Sequence, residues 1–203
     1  AIVSEIDEGS IEKKSDLMAQ LRFTHFYSEL KGGQNLSQPV NYLENLNFIK
    51  ERKGLLKPGL ALNPYKLWHK ADKTQKYAEI PNLSKIIEFL KKAESTGIND
   101  FIVRVDDTFS PQNSCSCVFN FKSKENHLKY RNLLDVHKDM MNRIADNLTN
   151  DADIKFMPLW NHSECIRKSR GKGELYLKEL YRKIPGKIDY LWTGATETPL
   201  LID

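Results

Sequence analysis

Residues 97–107 read Gly-Ile-Asn-Asp-Phe-Ile-Val-Arg-Val-Asp-Asp. Phe101 to Val105 is rich in β-branched and aromatic side chains, which suit a buried pleated surface, and only Arg104 interrupts it. The run closes on Asp106-Asp107, with the turn formers Ser110 and Pro111 just beyond. On its other side Ile86, Phe89, Leu90 and Ala93 recur at i, i+3, i+4 and i+7, so a helix from Asn82 buries one face and Gly97 stops it. A helix, a glycine stop, a buried strand and an acid pair follow one another here, as they do in a parallel sheet built from βα units.

The same alternation extends in both directions. Ile2 to Ile6 reads as a short first strand, and a polar helical stretch with Ile11, Leu17 and Met18 leads into a second strand over Leu21 to Tyr27. Leu43, Leu46 and Ile49 mark a helix that Pro39 can start and Gly54 can end, before a third strand over Gly59 to Leu62 stops at Asn63-Pro64. Residues 64–80 lack a period and read as a long loop. Beyond the acid pair, Val136, Met140 and Ile144 line a long helix, Lys155 to Trp160 gives a fifth strand, a helix follows Gly173 with Leu177, Leu180, Tyr181 and Ile184, and Ile188 to Thr193 gives a sixth strand. The class is α/β, and a (β/α)8 TIM-type barrel is the expected architecture. Such a barrel takes about 250 residues, so 203 residues are expected to hold one domain with about six of its eight units.

Composition narrows the function classes. The 31 basic residues are interleaved with 27 acidic ones, giving a formal net charge of +4, and nothing gathers them into a nucleic-acid-binding stripe. No apolar run approaches the roughly 18 residues that a membrane span needs. Three cysteines, Cys115, Cys117 and Cys165, are an odd number without paired zinc spacing, and the five histidines show no ligand spacing either. These spacings give no metal site, and no cofactor is expected. His25, inside the second strand, is expected to be a core or lumen residue. The basic run from Arg167 to Gly173 reads as a solvated loop in preference to a phosphate cradle.

The acid pair carries the chemistry. In a βα barrel the active site lies at the C-terminal ends of the strands, which is where Asp106 and Asp107 fall. Consecutive strand residues point to opposite faces, so both reach one ligand only if the pleat breaks, and Thr108 to Pro111 permits that. Two close carboxylates repel when both ionise, which raises the pKa of one and leaves a proton donor beside a charged partner.

Several segments, in order, resemble glycoside hydrolase family 84, the β-N-acetylglucosaminidases that include protein O-GlcNAcases and hyaluronidase-like enzymes. Leu17-Met18-Ala19 through Phe26-Tyr27 to Lys31 is similar to the family's stretch ending in Tyr-x-x-Lys, and Gly97-Ile98 through Asp106-Asp107 to its catalytic segment. Phe156-Met157-Pro158, Gly173-Glu174 with Tyr176-Leu177, and Leu191-Trp192-Thr193-Gly194 resemble later family segments, so the likeness runs over about residues 17–194. It implies substrate-assisted hydrolysis of β-linked N-acetylglucosamine, with Asp106 holding the acetamido N–H and Asp107 as proton donor and then base. Lys31 takes the sugar-contacting lysine position, Asn161 falls where the family has a pocket tyrosine, and Trp160 and Trp192 are candidates to stack on sugar rings. The implied partner is a glycan or glycoprotein bearing β-N-acetylglucosamine, not nucleic acid or a membrane.

The chain also departs from the family pattern. Arg104 replaces an apolar residue, on the same strand face as Ile102 and Asp106, where it is a candidate partner for Asp106; Gly32-Gly33 follows Lys31 in place of acids, and Ala195 follows the Trp-Thr-Gly in place of proline. These departures motivate an alternative reading, a catalytically inactive glycan- or protein-binding barrel of the same family.

Overall fold

The computed structural model describes residues 2–4, 11–30, 56–64, 83–105, 132–161, 166–167, 169, 171–184 and 186–192. They form strands β1 (Ile2–Ser4), β2 (His25–Leu30), β3 (Lys57–Leu62), β4 (Asp100–Arg104), β5 (Asp153–Met157) and β6 (Ile188–Tyr190), with helices α1 (Ile11–Gln20), α2 (Leu83–Ser95), α3 (Leu133–Asn147) and α4 (Lys172–Lys183) between them. The six strands make one sheet in the order β1-β2-β3-β4-β5-β6, and every neighbouring pair is parallel. The α/β class is thus as the sequence predicts. The strand order follows the chain without a reversal.

Strand periodicity sorts the side chains onto two faces. Phe26, Leu60, Leu62, Phe101, Val103, Ile154, Phe156 and Ile188 point to the face covered by helices and form the main core with Ile86 and Leu90 of α2, Val136, Met140 and Ile144 of α3, and Tyr176 and Leu180 of α4. Tyr27, Ala61 and Ile102 point the other way and make a small separate cluster against which Leu191 packs. This opposite face bears most of the charged side chains of the strands.

The 97–107 stretch folds as its residues dictate. Gly97 has φ +84°, its N–H reaches the carbonyl of Glu94, and the Ile98 N–H reaches that of Ala93, which closes α2 in a Schellman motif. Ile98 and Phe101 are wholly buried, so the helix delivers the chain straight into β4. At α3, Asn132 caps the first turn by accepting from the Asp135 N–H at 2.9 Å.

Element boundaries differ most from the sequence reading in β2, β5 and β6. β2 starts at His25, four residues later than its apolar pattern suggests, because Leu21, Arg22 and Phe23 bond back to the carbonyls of Leu17, Ala19 and Met18 and finish α1. β5 runs from Asp153 to Met157, where Pro158 offers no N–H to extend the ladder. β6 stops at Tyr190, although the Leu191 N–H still bonds to the Phe156 carbonyl. The expected helix around Leu43 to Ile49 and all but the first residue of the expected loop 64–80 lie outside the described residues.

Candidate functional site

The face turned away from the helices carries two charged tiers with an apolar tier between them. Near the strand N-termini, Asp100 accepts from the Tyr27 hydroxyl at 2.6 Å and from Lys155 Nζ at 2.7 Å, and His25 Nε2 lies 3.3 Å from its other oxygen. Lys155 also bridges to Asp153 at 2.6 Å, and its ammonium stands 5.8 Å from the centre of the Tyr27 ring. His25 stacks on Tyr27, with ring centroids 6.0 Å apart. Gly59 is required beneath this ring. A Cβ there would come within 2.6 Å of two Tyr27 ring carbons and 2.9 Å of the Asp100 carbonyl oxygen.

The protonation states follow from these contacts. Burial, then the hydrogen bond to Asp100 and the Asp100 charge, raise Tyr27 well above the ordinary phenol range against the pull of Lys155. Burial pulls Lys155 down, but bonds to Asp100, Asp153 and Tyr27 together with the Asp100 charge outweigh it, and the ammonium is held above its usual range. Tyr27 is therefore a neutral donor and Lys155 a fixed cation at neutral pH. The donors of this tier point at its own carboxylates, as in a structural network.

Tyr27, Ala61 and Ile102 supply the apolar tier, and beyond it, toward the strand C-termini, Arg104 pairs with Glu29 at 3.3 Å. Both side chains are largely buried, at 16% and 12% exposed. Arg104 is the last residue of β4, and the ladder continues one step further, with the Val105 N–H bonded to the Met157 carbonyl at 3.0 Å. The next two residues in the chain are the acid pair.

Asp106, Asp107 and Lys31 lie outside the described residues. Arg104 pairs with Glu29, a residue that the sequence reading did not single out. Asn161 is buried, just after the C-terminal end of β5. Trp160 is 3% exposed and meets Tyr176 edge-on at 5.2 Å, so it packs within the core, whereas Trp192 is half exposed. His25 lies on the face away from the helices, partly exposed. In the basic loop, the Ser169 hydroxyl accepts from the Gly173 N–H at 2.7 Å, which occupies one of the amides that a phosphate cradle would use.

The chain matches no protein-family model and no curated protein. The functional reading therefore stands on the residues and their placement.

Sequence reasoning missed the Tyr27–Asp100–Lys155 network and the Glu29–Arg104 pair. A signal was available in strand parity. His25, Tyr27 and Glu29 alternate in β2, Asp100 and Arg104 share one parity in β4, and Asp153 and Lys155 share one in β5. One polar parity beside one apolar parity marks a sheet face that carries charge.

Proposed function

We propose that this chain is a β-N-acetylglucosaminidase-like glycoside hydrolase on a TIM-type barrel, resembling glycoside hydrolase family 84, with Asp106 and Asp107 at its centre. The observation that carries the reading is that β4, a central strand of a parallel sheet with no reversal of order, is still on the ladder at Val105, the residue before the acid pair in the sequence. In barrels the C-terminal strand ends hold the chemistry, and sequential parallel order is the order a barrel requires. The buried Arg104–Glu29 pair adds charge to that same end of the sheet face.

In this reading the oxygen of the substrate's 2-acetamido group attacks the anomeric carbon as the glycosidic bond breaks. Asp107 gives its proton to the departing oxygen, and an oxazolinium ion forms that keeps the acetamido N–H. Asp106 accepts the acetamido N–H and stays charged as positive charge develops on the ring nitrogen. Asp107 then takes a proton from water as that water opens the oxazolinium ring at the anomeric carbon, with net retention. Lys31, Asn161 and Trp192 are assigned to hold the sugar, while Trp160 supports the loop after β5 by packing on Tyr176.

The test is hydrolysis of a fluorogenic β-N-acetylglucosaminide by the complete protein. Asp106→Asn and Asp107→Ala are each expected to lower kcat by about 10² or more, and an N-trifluoroacetyl substrate is expected to react more slowly because its acetamido oxygen is a poorer nucleophile. A folded parent without turnover would overturn the reading in favour of a silent glycan- or protein-binding barrel.

A further inference from the structure

Strand β5 ends at Met157, and Pro158 offers no N–H to continue the ladder. The first backbone donor after the strand is therefore that of Leu159, and the Tyr176 hydroxyl of α4 accepts it. Tyr176 is wholly buried, its hydroxyl lies 2.6 Å from Nδ1 of the wholly buried His137 in α3, and the two rings meet edge to face at 5.9 Å. A phenol oxygen accepts and donates at once, so one hydroxyl ties the end of β5 to two of the helices that cover the sheet.

The same short segment is held from a second side. Trp160 meets Tyr176 edge-on at 5.2 Å, and a Cβ at Gly173, in the first turn of α4, would come within 3.2 Å of the Trp160 ring and 2.8 Å of the Ser169 hydroxyl. Leu159 is thus fixed by a hydrogen bond and Trp160 by close packing, and the next residue is Asn161, itself buried. Apolar side chains at positions 137 and 176 would join α3 to α4 as well, since burying an imidazole and a phenol carries a desolvation cost that hydrogen bonding only offsets. They would take the Tyr176 partner away from the Leu159 N–H, and they would not fix the segment, because apolar contacts have no direction whereas hydrogen bonds do.

We propose that Tyr176, oriented by His137, is a positioning residue that sets where the 159–161 segment presents Asn161 to the sugar, without itself touching substrate. This rests on the hydrolase reading above, which assigns Asn161 to the sugar. Steady-state hydrolysis of the fluorogenic β-N-acetylglucosaminide and thermal melting, both on the complete protein, test it with Tyr176→Phe, Asn161→Ala and the double variant. Tyr176→Phe keeps the ring against Trp160 and removes only the hydroxyl, and it is expected to lower kcat/KM about tenfold. Asn161→Ala is expected to lower it by at least as much, and the double variant to fall no more than about twofold below Asn161→Ala, because both changes remove the same contact. Losses that multiply in the double variant would make Tyr176 a general support of the fold and overturn the proposal, as would parent-like kcat/KM in Tyr176→Phe whatever its melting temperature. Parent-like kcat/KM in Asn161→Ala would overturn it too, because nothing would remain for Tyr176 to position. The same cycle with His137→Gln carries the test should Tyr176→Phe fail to fold, and multiplying losses there overturn the proposal in the same way. A parent without turnover would instead overturn the hydrolase reading, and this inference would fall with it.

Discussion

His137 is wholly buried in α3, with Nδ1 2.6 Å from the Tyr176 hydroxyl. The Tyr176 oxygen also accepts from the Leu159 backbone, and burial raises Tyr176 well above the phenol range, so its proton is available to the imidazole. Burial pushes His137 down to about 3, from an ordinary value of 6.5, and the ring is neutral in the folded protein. An unfolded chain binds a proton at this site below pH 6.5, but the folded chain does not do so until about pH 3. The stabilisation is therefore complete above 6.5 and is lost as pH falls through that window, by roughly 1.4 kcal/mol per unit at the steepest. His137→Gln is expected to be less stable than the parent at pH 7 by about 1–3 kcal/mol, and the gap should shrink at pH 4.5. Urea unfolding of both proteins at the two pH values measures it. A gap that does not change with pH would mean that His137 is not held neutral by burial.

At the scale of elements, backbone approach sets the tightest tolerance. Tyr27 of β2 lies across Gly59 of β3, its register partner, and a methyl group at residue 59 has nowhere to go, since one of its near neighbours is the Asp100 carbonyl of β4. Gly59→Ala is expected to displace the Tyr27 ring and strain its bond to Asp100, costing about 1–3 kcal/mol. Denaturant midpoints would show this, with the slope unchanged if the sheet otherwise persists. Parent-like stability would mean that the ring moves freely, contrary to its place between His25 and Lys155.

Elements also show what the sequence made legible. The α2–Gly97–β4 passage was readable because each local signal agreed: apolar residues at helical spacing, a glycine at the left-handed stop, then a β-branched run. The start of β2 was not readable, because Leu21 and Phe23 carry strand-like side chains whose backbone groups complete the last turn of α1. The acid pair was singled out by its position after a strand in the sequence, and it lies outside the described residues. Strand parity could place Glu29, Asp100 and Lys155 on one charged face but not show which of them pair, because each gains its role from partners on other strands, 73 residues apart for Tyr27 and Asp100.

For the molecule as a whole, the two faces of the sheet and the order of its strands decide where stability concentrates. β3 and β4 are each paired on both sides, by β2 and β4 and by β3 and β5, and Leu60, Ala61, Leu62, Phe101 and Val103 are wholly buried. They also receive both stabilising layers. The main core packs on one side of them, and the Tyr27–Asp100–Lys155 network ties β2, β4 and β5 together on the other. β1 and β6 have three residues each and, among the described residues, one pairing partner each. Among its described side chains helix α1 buries Met18 and exposes Leu17, and Leu21 just beyond it is exposed as well. Opening free energies should therefore rise from α1, β1 and β6 toward β3 and β4. Hydrogen exchange on the 203-residue chain is expected to show the slowest amides at Leu60 to Leu62 and Phe101 to Val103, and exchange about tenfold or more faster in β6 for each 1.4 kcal/mol by which its opening is easier. Equal protection of β1, β6 and β4 would contradict this gradient. It would mean that the outer edges of β1 and β6 are themselves paired, as closure of the sheet on itself requires.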